Sequence, residues 1–160
     1  MVAVRQAGRD ITGIPMELTG SERIDDLEVV LTRALGWIEG TVADLGGNPV
    51  PGGWVVAFPD DPSRYYEESP FVRMWSSSGP LPQTLEPAPS WLSTLYPMGR
   101  FSVPDLPPGR WLLVAIPREG STTGGRPFVD RPRLLQLRTR ATAVDVVPGR
   151  MTNVQLTLVK

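Results

Sequence analysis

Residues Gly99 to Ile116, GRFSVPDLPPGRWLLVAI, decide the fold. Phe101 and Val103 alternate with Ser102 and Pro104, so the first run carries one apolar face. Trp111, Leu113 and Ala115 alternate with Leu112, Val114 and Ile116, so the second run is apolar on both faces and is expected to be central in its sheet. Between them, Asp105-Leu106-Pro107-Pro108-Gly109 fixes φ at the prolines, tolerates positive φ at the glycine and lacks the donors a ladder needs. The stretch therefore reads as a β-hairpin, with Leu106 plugging the open end of a sandwich.

The rest of the chain is consistent with strands added around that stretch. At 160 residues and 41% hydrophobic it can bury a real core, as one domain or one domain plus an appendage. Its 16 glycines, 18 prolines and short apolar runs indicate a mostly β protein with many turns. A net charge of −1 offers no field for nucleic acid or anionic lipid. No run approaches the roughly 20 apolar residues of a membrane span, and MVAVRQAGRD lacks the apolar core of a signal peptide. The chain contains neither histidine nor cysteine, which excludes imidazole acid–base catalysis, thiol nucleophiles, disulfides and metal sites built on nitrogen or sulfur.

Upstream, WIEGTVAD at Trp37 is followed by LGGNPVPGG and WVVAFPDD. Gly46-Gly47-Asn48-Pro49 can reverse the chain and Val50 begins the return, which reads as a second hairpin. Further upstream, ERIDDLEVVLT aligns with the C-terminal GRMTNVQLTLV at an offset of 127 residues: Arg23 meets Arg150, Ile24 meets Met151, Leu27 meets Val154, Val29 meets Leu156 and Leu31 meets Leu158. Either two amphipathic strands share a pattern or a closing strand is repeated. On the second reading residues 1–34 are the terminal strand region of a preceding repeat, or an N-terminal appendage, and residues 35–160 are the sandwich domain.

The succession GTVADLGGNPVPGGWVVAFP, GRFSVPDLPPGRWLLVAI and VDVVPGRMTNVQLTLV resembles the carboxypeptidase regulatory-like domains, relatives of the transthyretin-like and Cna B-type sandwiches. DDPSRYYEESPFVRMW and RPRLLQLRTRAT extend the resemblance, which covers about Glu28 to Lys160. It implies an all-β, prealbumin-like Greek-key β-sandwich of about seven strands, of the carbohydrate-binding-like type, with one short helix and a long irregular loop. It also implies an extracytoplasmic location (secreted, periplasmic or cell surface), a tandem arrangement, a non-catalytic role and no cofactor. Activities of relatives fail on residue type. The Cna B-type isopeptide crosslink needs a strand lysine, and the sole lysine is Lys160. The transthyretin-like urate-pathway hydrolases need histidines and a C-terminal Tyr-Arg-Gly-Ser, and a carboxypeptidase needs zinc ligands; the chain has none of these.

Three constellations could carry chemistry. Asp60, Asp61, Glu67 and Glu68 form an acidic cluster, read either as a calcium site or as a solvated strand-ending loop with Arg64 and Arg73 as counter-charges. Trp75, Trp91, Tyr96, Tyr65 and Tyr66 are candidate stacking residues for a glycan or peptide, or anchors of their own loops; Trp91 and Tyr96 fall in the proline- and serine-rich segment from Ser76 to Met98. Trp37 and Trp111, at strand positions, are expected to be buried. Arg131, Arg133, Arg138 and Arg140 flank a short helix capped by Asp130, with Leu134, Leu137 and Ala141 on its inner face. The leading expectation is a non-catalytic accessory module, a spacer or interaction domain whose partners are neighbouring domains of the same polypeptide. The alternative is a carbohydrate- or peptide-binding module using the 76–98 loop; a third, a carboxylate enzyme, would need a pair such as Asp60 and Glu68 in a cleft.

Overall fold

The computed structural model describes residues 3–14, 16–21, 23–31, 33–66, 69–77, 98–118 and 129–159. Among the described residues, seven strands form a 3 + 4 Greek-key sandwich, as the resemblance implies. One sheet has the order β10 (Met151–Thr157), β4 (Gly36–Ala43), β7 (Arg100–Leu106). The other has the order β6 (Arg73–Ser76), β5 (Trp54–Pro59), β8 (Gly109–Ile116), β9 (Thr142–Val146). Three further strands, β1 (Ala3–Gln6), β2 (Arg9–Asp10) and β3 (Leu27–Val30), make a separate small sheet with β1 in the middle.

Neither expected hairpin is one. β7 pairs with β4 and β8 pairs with β5 and β9, so Gly99 to Ile116 is a corner that carries the chain from one sheet to the other. The burial pattern explains this: β7 is an edge strand with one buried face, whereas β8 is central in a sheet covered on both sides. Asp105 and Gly109 turn the corner at φ 56° and 138°, and the Trp111 indole N–H donates to the Pro107 carbonyl at 2.9 Å. Leu106 is fully buried in the core between the sheets. At 43–53 the expected reversal is real but short: Val50 N–H donates to the Val42 carbonyl at 2.8 Å, after which the chain crosses to β5 in the opposite sheet.

Two apolar clusters account for the two-faced strands. Between the sheets lie Ile38, Val42, Val55, Phe101, Val103, Leu113 and Leu156, with Trp111 buried as expected. On the outer face of the four-stranded sheet lie Val56, Phe58, Leu112, Val114 and Ile116, covered by Tyr65 and by helix α1 (Arg131–Arg138) through Leu134 and Leu137. Asp130 caps α1 as read from the sequence, accepting from Arg133 N–H at 2.9 Å, and Ala141 packs against the same cluster. Trp37 corrects the expectation of burial. It points away from the core on β4 and is 37% exposed, because the outer face of the three-stranded sheet has no covering layer among the described residues.

The closing strand sets the polarity of the sandwich. β10 pairs in parallel with β4, Met151 opposite Trp37 and Thr157 opposite Ala43. The chain therefore enters the sandwich at one pole, with the 106–109 corner, and leaves it at the other, beside the Asp44–Asn48 reversal and Gly53.

The two strands aligned in sequence behave differently. β3 pairs antiparallel with β1 from Ala3↔Val30 to Gln6↔Leu27, and does not join the sandwich. The N-terminal segment touches the sandwich where Arg64 reaches the Asp10 carboxylate at 3.7 Å and where Gly13 lies so close to Phe71 that a Cβ there would overlap the ring; the sheet β2–β1–β3 shares no strand pairing with either sheet of the sandwich among the described residues. Deleting residues 1–32 is therefore expected to change the unfolding free energy of the remainder by less than about 2 kcal/mol in urea titration. A larger loss would show that this segment completes the core.

Candidate functional site

The acidic and aromatic residues after β5 gather at the upstream pole, and their geometry is that of a clasp. Asp60 N–H donates to the Arg110 carbonyl at 3.2 Å, continuing the β5–β8 ladder by one step. This places the Asp60 carboxylate between two arginines: Arg110 Nε lies at 3.2 Å from Oδ2 and Arg138 Nη2 at 2.7 Å from Oδ1. The carboxylate thus links β5, β8 and the end of α1. Sequence reasoning paired this cluster with Arg64 and Arg73; for Asp60 the partners are Arg110 and Arg138, remote in sequence and brought near only by sheet pairing and helix docking. Asp61 accepts from Ser63 N–H at 3.0 Å and Ser63 Oγ at 2.8 Å, capping the 3-10 turn Pro62–Arg64, with Arg64 Nε at 3.6 Å from its other oxygen. These hydrogen bonds from Ser63 hold the Asp61 carboxyl below the usual carboxylate range. Both described carboxylates of the proposed metal set are thus engaged by protein groups; Glu67 and Glu68 lie outside the described residues. Among the described residues no group of three or more carboxylates is placed to hold a metal ion.

Tyr65 corrects its assignment as a stacking residue. It is fully buried, packs edge-on against Phe58 with ring centroids 5.5 Å apart, and donates to the Pro59 carbonyl at 2.8 Å. No ring face is left for a ligand. Burial pushes its phenol up from 10.0 to about 12. A group whose pKa is higher in the folded chain contributes stability that is complete below pH 10 and is lost as pH rises towards 12. Tyr65→Phe, which leaves the Pro59 carbonyl without its donor, is expected to cost about 1–3 kcal/mol at pH 8 and to flatten the alkaline loss, both read by urea unfolding between pH 8 and 11.

Trp75 lies on β6 with its side chain packed against the core between the sheets, and Tyr66 is half-buried, its hydroxyl next to Gly13. Trp91 and Tyr96 lie outside the described residues, as does most of the 76–98 loop. Trp75 and Tyr65 therefore face two different cores on opposite sides of one sheet and do not form a common platform. The arginines of α1 are on its wet side: Arg138 binds Asp60, and Arg133 reaches the Gln136 side chain at 3.4 Å.

A concave surface beside α1 was not foreseen from the sequence. A groove of about 720 Å³ runs between α1 and the end of β10, lined by Ile116, Arg133, Leu135, Leu137 and Val159. Sharing Arg140 and Val159 with it, a second depression of about 610 Å³ reaches Leu158 and the tip of the Asp44–Asn48 reversal. Both lie at the downstream pole. Its signal in the sequence was Leu45, an apolar side chain in a polar turn, which is 94% exposed.

No family model matches the sequence, and comparison with curated proteins finds no match. Solved structures share the fold loosely. The Bacillus anthracis TIE protein overlaps 78% of this chain at 10% identity and a TM-score of 0.41, and BcpA, the major pilin subunit of Bacillus cereus, overlaps 78% at 13% and 0.43. The chain spans only 16% and 29% of those two proteins. A candidate carbohydrate binding protein from Pseudomonas aeruginosa overlaps 78% of this chain and 88% of its own length at 13% identity and a TM-score of 0.41. Similarity at this level is of architecture and carries no argument about role. Among the described residues, no helix is long and apolar enough to cross a membrane.

Proposed function

We propose that this chain is a non-catalytic β-sandwich module of the carboxypeptidase regulatory-like type, acting as a spacer or interaction domain within a multi-module extracytoplasmic protein. The observation that carries the reading is the parallel pairing of the first and last strands of the sandwich. An antiparallel pair would return the chain to the pole where it started; this one sends it out at the far end, as a module strung between neighbours requires. Further support comes from the polar groups that might have done chemistry, since Asp60, Asp61 and Tyr65 are all occupied in holding β5, β8, α1 and the 3-10 turn together.

The test is acrylamide quenching of tryptophan fluorescence with and without a panel of soluble polysaccharides. Quenching at the part-exposed Trp37, indifferent to every glycan, is the expected result. Protection by one glycan would overturn the spacer reading in favour of a carbohydrate-binding module using Trp75, Trp91 and Tyr96.

A further inference from the structure

We infer that two copies of this chain pair through β10, edge to edge and antiparallel about a two-fold axis, joining their three-stranded sheets into one of six strands. The phase of the β10–β4 ladder fixes which backbone groups are free to do so. Trp37 N–H donates to the Arg150 carbonyl at 3.2 Å just before the ladder, and Leu158 N–H donates to the Ala43 carbonyl at 2.9 Å just after it. In a parallel pair, alternate residues turn both backbone groups to the neighbour. Thr152, Val154 and Leu156 therefore face β4, and Met151, Asn153, Gln155 and Thr157 turn their N–H and C=O to the open edge. All four of these residues are exposed, and among the described residues no strand pairs with that side of β10. β9 meets β10 across the sandwich instead, where Thr152 Oγ1 donates to the Asp145 carbonyl at 3.5 Å.

The other sheet edges among the described residues are guarded by charge or proline, the devices that stop a further strand from adding. β2 is Arg9–Asp10, β3 carries Glu28, β6 carries Arg73, β7 carries Arg100, Pro104 and Asp105, and β9 carries Asp145. β10, with the sequence MTNVQLT, has neither over its 7 residues. A free row of backbone donors and acceptors takes a strand, and this row fits itself. With the axis at Val154, Met151 lies opposite the second copy's Thr157 and Asn153 opposite its Gln155, so every outward N–H and C=O of both copies is paired. Moving the axis by one residue either way leaves one of the four without a strand partner on each copy. On the outer face the Asn153 and Gln155 amides meet, Val154 meets its own counterpart beneath them, and no charge faces another. The contact is isologous and closes at two copies. An edge about 23 Å long buries less than the roughly 1,600 Å² of a standard interface, so Kd is on the order of 100 µM.

Sedimentation velocity of the full chain from about 10 µM to about 1 mM reads the contact. Wild type is expected to pass from monomer to dimer and no further, with little change between about 50 and about 500 mM salt because the paired edges carry no charge. Asn153→Lys with Gln155→Lys sets lysine opposite lysine twice and is expected to weaken the dimer at least about tenfold. Asn153→Lys with Gln155→Glu sets lysine opposite glutamate twice in this register alone, and is expected to tighten the dimer about threefold or more at about 50 mM salt. Both positions are exposed, and thermal unfolding verifies that the variants are folded. Ser102, in line with Glu39 and Asn153 across the sheet, gives the geometry: spin labels on Ser102→Cys lie five strand spacings apart, about 25–30 Å by double electron–electron resonance. A wild type that stays monomeric would leave the edge to a foreign strand and overturn the dimer, as would an open series or a lysine pair that associates as wild type does. A lysine–glutamate variant no tighter than wild type, or labels at another distance, would overturn this register. None of these outcomes touches the spacer reading, which fails instead on glycan protection.

Discussion

Replacing Gly40 by alanine is expected to lower the unfolding free energy by about 3 kcal/mol, and replacing it by valine to abolish soluble folded protein. Gly40 sits in the middle of β4 and faces the core between Val154 of β10 and Phe101 of β7. A Cβ there would overlap the Val154 carbonyl oxygen and come within 2.8 Å and 2.9 Å of the Phe101 ring. The backbone oxygen cannot move without breaking the parallel β4–β10 ladder, so the overlap is not relieved by a rotamer change. Urea titration of the alanine variant measures the loss. Gly47→Ala is the control: at φ +82° with open space around it, it pays only the left-handed backbone strain, about 1 kcal/mol. Equal losses at the two positions would mean that the close approach of β10 to β4 is not what requires glycine at 40.

Phe58→Ala is expected to cost about 3–5 kcal/mol, a large share of the 5–15 kcal/mol typical of a domain. Phe58 is fully buried in the second cluster, beneath the Tyr65 segment and in the same layer as Leu134 and Leu137 of α1. Its removal leaves a cavity that the sheet cannot collapse to fill. Hydrogen exchange is expected to show α1 and residues 59–66 losing protection first, with β4 and β10, which face the other core, keeping theirs. A loss spread evenly over both sheets would show that the outer cluster is not a separate layer.

The alternation of apolar residues was enough to place β7 and β8, because burial on one face or two follows directly from side-chain periodicity, whereas the count of about seven strands came from the family resemblance. Pairing was not legible. A proline corner between two strands looks the same whether it closes a hairpin or crosses between sheets, and only the unequal faces of Phe101–Val103 and Trp111–Ile116 hinted at the crossing. The helix was legible from Asp130 and the Leu134/Leu137 spacing. Its role as the cover of a second core was not, since that depends on the outer residues of β5 and β8. At the candidate site the sequence placed Asp60 among its neighbours in the chain, whereas its partners Arg110 and Arg138 arrive through the β5–β8 register and the docking of α1. Trp37 was misread because a strand tryptophan is usually core; here its register opposite Met151 puts it on the uncovered side.

The polarity of the sandwich is the claim on which the functional reading depends, and the absence of cysteine makes it directly measurable. Spin labels on Arg33→Cys and Thr157→Cys, at exposed positions before β4 and at the end of β10, report the separation of the points where the chain enters and leaves. With β10 parallel to β4, the seven steps from Gly36 to Ala43 at about 3.3 Å each give about 23 Å, and the three residues from Arg33 to Gly36 extend the separation to about 25–30 Å by double electron–electron resonance. A distribution centred below about 15 Å would place both points at one pole, as an antiparallel closing strand does, and would contradict the account of this chain as a module that passes from one neighbour to the next.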